Sequence, residues 1–245
     1  MTTDVDAAKG FYTDVVGWGT MSSDAGPEPY SMFTVGEEPV AGFMDLPQHV
    51  KAMGIPPHWM VYIGTPDIET TMVQVERLGG KNLNGPIDVP NIGRFAVMLD
   101  PQGAAFSAFQ PSDSPEDPQR APTVGHVSWN ELLTTDWEAA WGFYETLFGW
   151  NKLTANDLGA EFGTYQTWGL GEREMGGMFT KPPSMPIPPN WAIYFQVADL
   201  QATMERVKAK GGKVINGPNE VPGGDLTVQC MDPQGAAFAL HQAAS

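Results

Sequence analysis

The sequence holds one cysteine in 245 residues, Cys230, so no disulfide framework can form within the chain. A reducing compartment fits this, and the ordinary use of such a residue is as a small buried apolar side chain. Basic residues are also scarce: 13 Lys and Arg stand against 29 Asp and Glu, a formal net charge of −16. A polyanion would be repelled and no basic stripe is present, so nucleic acid is excluded as a partner and anionic membranes are disfavoured. No run approaches the roughly 18 apolar residues of a membrane helix. The opening MTTDVDAAKGFY has neither the basic nor the apolar region of a signal peptide. The expectation is a soluble, cytoplasmic protein. No Ser-His-Asp spacing, Walker loop or dinucleotide fingerprint is found.

What the chain does have is a repeat. FYTDVVGW begins at Phe11 and FYETLFGW at Phe143, 132 positions later. The same offset relates Trp59 to Trp191, Gly79-Gly80-Lys81 to Gly211-Gly212-Lys213, and Asn84-Gly85-Pro86 to Asn216-Gly217-Pro218. DPQGAAF occurs at Asp100 and, letter for letter, at Asp232. One constant offset over most of both halves is the mark of duplication. A segment rich in Pro, Ser and Asp, Gln110 to Pro122, reads as the linker. The expected domains are 1–112 and 123–245, with the boundary near residue 115.

Each copy has an inner rhythm of βαβββ, twice. Val127–Thr134 reads as a strand, and Asp136 can cap a helix that carries Ala139, Ala140, Phe143, Tyr144 and Leu147 and ends at Gly149. Strands are expected near Thr164–Gly169 and Met175–Thr180. After the PPSMPIPPN loop come strand Trp191–Val197, a helix capped by Asp199, and strands near Lys213–Ile215, Leu226–Met231 and Ala237–His241. In the first copy helices fall near Asp4–Val15 and Asp67–Leu78. The counterpart of Val127–Thr134 would mostly precede Met1, so the first copy is expected to lack its opening strand. That edge would then be completed by an earlier start in the native gene or by another segment.

FYxxxxGW after a capped helix, a second helix ending in Gly-Gly, and a closing DPxG strand together resemble the vicinal oxygen chelate superfamily of glyoxalases, bleomycin-resistance proteins and extradiol dioxygenases. The closer likeness is to its tandem two-domain glyoxalase-like members, and it spans nearly the whole chain. The resemblance implies an α+β fold in which paired βαβββ modules form a curved sheet around a cavity. It also implies a divalent ion held by His, Glu or Gln on the inner face of four strands. Carried over, those positions fall on Trp129, on Met60 and Ala192, on Ser107 and Ala239, and within Ala41–Met44 and Gly176–Phe179. None is a hard-cation ligand, so no metal and no other cofactor is expected.

Strand alternation offers inner-face candidates. Trp129 and Glu131 share a face, as do Ala192, Tyr194 and Gln196, and Ala237, Ala239 and His241; His58, Met60 and Tyr62 form another row. If these faces converge, Glu131 and His241 are the candidate catalytic groups. Trp129, Tyr194, Gln196, His58 and Tyr62 are the candidate ligand-binding groups. Each also has a structural reading. Glu131 can bond backbone or indole N–H groups, His241 can be a solvated residue near the C-terminus, His58 can sit at a rim, and the tyrosines can simply pack. The leading expectation is a metal-free protein binding a flat, semi-polar small molecule. The alternative is a superfamily enzyme, lyase, dioxygenase or hydroxylase-like, acting on a carbonyl or hydroxylated metabolite. A third reading is a scaffold with filled cavities whose sheets serve homo-oligomeric association.

Overall fold

In a computed structural model describing residues 1–23, 30–113 and 120–244, the five helices among the described residues are α1 (Val5–Val16), α2 (Gln48–Ala52), α3 (Ile68–Arg77), α4 (Trp137–Phe148) and α5 (Leu200–Ala209). All but the short α2 begin on an aspartate. The side chains of Asp4, Asp67, Asp136 and Asp199 accept the N–H groups of Ala7, Thr70, Ala139 and Ala202 at 2.9–3.1 Å. Such caps satisfy donors that have no partner inside the helix. Helices α1 and α4 stop on Gly17 and Gly149, whose left-handed φ of 87° and 65° suits glycine.

The expected α+β fold of repeated βαβββ modules is present, but its compact units cut across the sequence copies at 1–112 and 123–245. One unit comprises Met1–Trp59, Pro122–Trp129 and Ile193–Ser245; the other comprises Met60–Ala121 and Asn130–Ala192. Each unit therefore joins a module of the first copy to a module of the second. Residues 114–119, the middle of the expected linker with its boundary near 115, lie outside the described residues.

Unit 1 contains α1 and antiparallel strands β1 (Gly19–Ser23), β2 (Tyr30–Val35) and β3 (Glu38–Phe43) from the first copy. From the second copy come most of β12 (Asn190–Gln196), α5, β13 (Lys213–Glu220), β14 (Leu226–Met231) and β15 (Ala237–Gln242), in the order β13-β14-β15-β12. Phe11, Tyr12, Val15, Trp18, Phe33, Phe195 and Phe238 are buried in its core. Among the described residues β3 pairs with β2, and just past its end Asp45 forms an isolated parallel bridge with Thr2.

Unit 2 contains β4 (Tyr62–Gly64), α3, β5 (Lys81–Val89), β6 (Gly93–Leu99) and β7 (Ala105–Pro111), ordered β4-β7-β6-β5. Its other module holds most of β8 (Val127–Thr134), α4, β9 (Asn151–Asp157), β10 (Thr164–Leu170) and β11 (Arg173–Thr180), ordered β8-β11-β10-β9. Buried Ile68, Met98, Phe106, Leu132, Tyr144 and Met178 form its core. Strand β7 takes in Gln110 and Pro111, so the linker starts later than the composition suggests. Gln110 Oε1 accepts the Ile68 N–H at 3.0 Å and serves as a second cap on α3.

The repeated motifs explain why modules pair across copies. In unit 1 the Trp59 indole donates to the Tyr12 hydroxyl at 2.8 Å, and Tyr12 donates to Asp232 Oδ2 at 3.0 Å. In unit 2 Trp191 donates to Tyr144 at 3.2 Å, and Tyr144 to Asp100 Oδ2 at 3.1 Å. The Tyr of each FYxxxxGW thus binds the Asp of the other copy's DPQG. The second oxygen of that Asp accepts the N–H groups that close its own turn, from Gln102 and Ala104 or from Gln234 and Ala236, all at 2.9 Å. Burial, reinforced by the facing carboxylate, pushes both phenols well above the ordinary tyrosine range, so they stay donors. No helix among the described residues is long and apolar enough to cross a membrane.

Candidate functional site

On β15 Phe238 packs against Phe11 of α1, so alternation turns Ala237, Ala239 and His241 to the opposite face of the sheet. There, in unit 1, Ala239 lies between Tyr194 on β12 and Gln229 on β14, and His241 lies between Gln196 and Thr227. The face is polar. Asn216 donates to Gln229 at 2.8 Å, and Gln229 donates to the Tyr194 hydroxyl at 3.0 Å. His241 Nε2 is 2.8 Å from Asp225 Oδ2, and Nδ1 is 2.8 Å from the Ser128 hydroxyl. A carboxylate only accepts, so the proton belongs on Nε2 while Asp225 is ionised. Burial raises the Asp225 carboxyl, but the Ala244 N–H and the His241 ring outweigh it and hold it below the usual range.

His58 belongs to neither β4 nor this face. Its Nδ1 is 2.8 Å from the Pro56 carbonyl, and it borders a cavity of about 20 Å³ with Tyr12, Trp59, Asp232 and Phe33. That is room for one water rather than a metabolite. Burial pushes the His58 imidazole below its ordinary value. Trp129 is half-buried on β8, at the last position belonging to unit 1.

The corresponding face of unit 2 has different chemistry. Glu131 on β8 stands opposite Gly177 on β11, and its Oε1 accepts the Tyr165 hydroxyl at 3.0 Å. The Tyr165 ring stacks on Phe179 at 5.9 Å, and Phe162 meets Phe179 at 6.1 Å. A Cβ on Gly177 would overlap the Tyr165 ring, so glycine is what seats it. On the other sheet of this unit Tyr62, 49% exposed, lies 5.8 Å from Phe95 and 6.3 Å from Phe109. Phe109 has its own seat, since a Cβ on Gly93 would stand 2.9 Å from its ring. The offset of 132 makes the contrast direct. Phe95, Phe109 and Gly93 of unit 2 correspond to Thr227, His241 and Asp225 of unit 1.

Tyr194, Gln196 and His241 share the unit 1 face, and His58 lies elsewhere in that unit. Glu131 and Tyr62 belong to unit 2. Sequence reasoning also passed over Ser128, Asp225, Gln229, Phe95, Tyr165 and Phe179. The offset projects His241, Tyr194 and Phe109 only onto Phe109, Tyr62 and His241, so it carried no signal for these.

A family model, the Glyoxalase/Bleomycin resistance protein/Dioxygenase superfamily, matches residues 1–107 and 123–240. The chain belongs to this superfamily. It is 34% identical over 244 residues to "Putative glyoxylase CFP32" of Mycobacterium bovis, covering 98% of this chain and 90% of that one. It is also 34% identical to the anthracycline biosynthesis protein DnrV of Streptomyces peucetius, over 97% of this chain and 88% of the relative. In fold it is similar to a Mn(II)-bound glyoxalase from Novosphingobium aromaticivorans, with TM-score 0.62, 16% identity, and 100% and 80% of the two chains covered. The 2,3-dioxygenase LapB from Pseudomonas sp. KL28 gives TM-score 0.66 at 10% identity, with 100% and 90% covered. Several side chains at the positions expected to hold a metal ion are short or already engaged. Ala192 and Ala239 carry no ligand atom, the fully buried Ser107 hydroxyl donates to the Ala96 carbonyl at 3.1 Å, and Gly177 is the seat of a tyrosine ring. Among the described residues no group of three or more His, Cys, Asp and Glu is placed to hold a metal.

Proposed function

We propose that the protein binds a flat, semi-polar small molecule on these sheet faces without using the superfamily's metal centre. The observation that carries this is two groups of partly exposed rings in unit 2, Tyr62 with Phe95 and Phe109 on one sheet, and Tyr165 and Phe162 beside buried Phe179 on the other, two of the rings being seated on glycines. Large rings left at a surface in a cluster are the mark of a binding surface rather than of a core. The relatives named for anthracycline biosynthesis support a polycyclic ligand class. The charge of −16 supports a small molecule over a polyanionic partner.

A thermal-shift screen of planar tricyclic and tetracyclic compounds, with metal analysis of the same protein, tests the reading, because an occupied site raises apparent stability. Stabilisation by planar compounds in metal-free protein is expected. Stabilisation that requires a bound divalent ion would overturn it. An enzymatic reading rests on the Glu131–Tyr165 hydrogen bond, which places a carboxylate beside a phenol on the same face. If Glu131→Gln abolished turnover of a carbonyl or hydroxylated substrate while affinity persisted, binding alone would be too small an account.

A further inference from the structure

We infer that Ser128, His241 and Asp225 of unit 1 form an acyl-transfer site for small uncharged esters, with Ser128 as the nucleophile. The inference goes beyond the binding reading and uses none of the unit 2 rings. The three residues come from β8, from β15 and from the position just before β14, so their spacing in sequence gave no sign of them. Such a site is recognised by geometry and roles rather than by order in the chain. Asp225 Oδ2 accepts the His241 Nε2–H at 2.8 Å, while its other oxygen accepts the Ala244 N–H at 2.8 Å and so fixes the carboxylate. With the proton on Nε2, Nδ1 presents its lone pair, and the Ser128 hydroxyl 2.8 Å away donates to it. The competing acceptor, the Tyr194 carbonyl, is further off at 3.4 Å. A hydroxyl within reach of a base that a third group orients is set up to attack a carbonyl. Ser128 is 7% exposed and the His241 side chain 14%, so the site is sheltered without being sealed. Gln196, the register partner of His241 on β12, is partly exposed on the same face and brings a carboxamide donor for charge developing on the carbonyl oxygen. The chain's charge of −16 disfavours anionic esters. As Ser128 Oγ bonds the acyl carbon, its proton passes to His241 Nδ1. The ester C–O bond then breaks and the leaving alcohol takes that proton. Water gives a proton to Nδ1 and attacks the acyl-serine, the acid is released, and Ser128 recovers its proton.

Diisopropyl fluorophosphate tests this, because an activated serine oxygen bonds its phosphorus with loss of fluoride. Labelling of the full chain is followed by mass spectrometry and peptide mapping. The expected result is one label per chain, on Ser128. None is expected on Ser184, an exposed serine bonded to the Glu161 carboxylate rather than to a histidine. Labelling should slow about 100-fold or more in His241→Gln and in Asp225→Asn. Asp225 acts through the ring as a positioning residue, so Asp225→Glu should recover part of that rate at an unfolding midpoint no higher than that of Asp225→Asn. Ser128→Ala should also abolish a burst of p-nitrophenol, one per chain, from p-nitrophenyl acetate. The map of the unmutated chain stands even where a variant fails to fold. Absence of label on Ser128, labelling there no faster than on Ser184, or a rate untouched by His241→Gln overturns the inference and leaves planar binding in unit 2 standing.

Discussion

Replacing Tyr144 with Phe removes one oxygen and leaves the ring, so it probes the interlock between modules of unit 2 without making a cavity. Two hydrogen bonds go: the one to Asp100 at 3.1 Å and the one from Trp191 at 3.2 Å. A bond to a carboxylate contributes about 1.5–3 kcal/mol and a neutral one about 1, and both former partners are left buried. The expected loss is about 2–4 kcal/mol in urea unfolding followed by circular dichroism. It also depends on pH. Burial already raises the Asp100 carboxyl, with the Ala104 and Gln102 N–H groups and the Tyr144 hydroxyl pulling it back only in part. Without the hydroxyl the folded-state value rises further above the unfolded one. The variant's deficit is then full where Asp100 is ionised and shrinks as pH falls and the carboxyl protonates. Trp191→Phe breaks the same chain, so the double variant should cost less than the two single losses added. A loss below about 0.5 kcal/mol, or strict additivity, would refute the reasoning.

Other expectations follow from the same geometry. Gly177→Ala puts a Cβ into the Tyr165 ring and breaks its bond to Glu131, so planar-ligand binding should fall at least about tenfold in titration calorimetry with the fold retained; unchanged affinity would move the site elsewhere. Asp225 has a lowered carboxyl in the folded state, so its contribution is present above the unfolded carboxylate value and lost as pH falls through the folded one. Asp225→Asn should therefore flatten the acid limb of the stability profile, and an unchanged limb would count against the His241–Asp225 pair. Asp136→Ala removes the cap of α4 and should cost about 1 kcal/mol in denaturant unfolding, against near zero for an uncapped exposed position such as Glu138→Ala.

Local structure was legible where chemistry is local. Asp136, Asp199 and Gly149 marked helix ends because caps depend on a few neighbouring residues. The alternating apolar strands from Thr164 to Thr180 were visible for the same reason. Strand β9 was not, because NKLTAND is mostly exposed and lacks an apolar alternation. The duplication was plain, but an offset says only that Tyr12 matches Tyr144 and Asp100 matches Asp232. It cannot say that Tyr12 binds Asp232. That crossed pairing divides the candidate residues between the units: Glu131 and Tyr62 fall in one, and His241, Tyr194, Gln196 and His58 in the other. Cys230 behaved as its apolar setting implied: fully buried, with burial pushing its thiol up to about 12.

Calorimetric titration of a planar aromatic probe such as 9-aminoacridine, before and after exhaustive chelator treatment, tests most directly whether this superfamily member binds planar molecules without the usual metal centre. The expected outcome is one molecule per chain with the same affinity in both samples, and loss of that binding in Gly177→Ala. Binding that vanishes with the chelator and returns on adding Mn(II) would contradict the account.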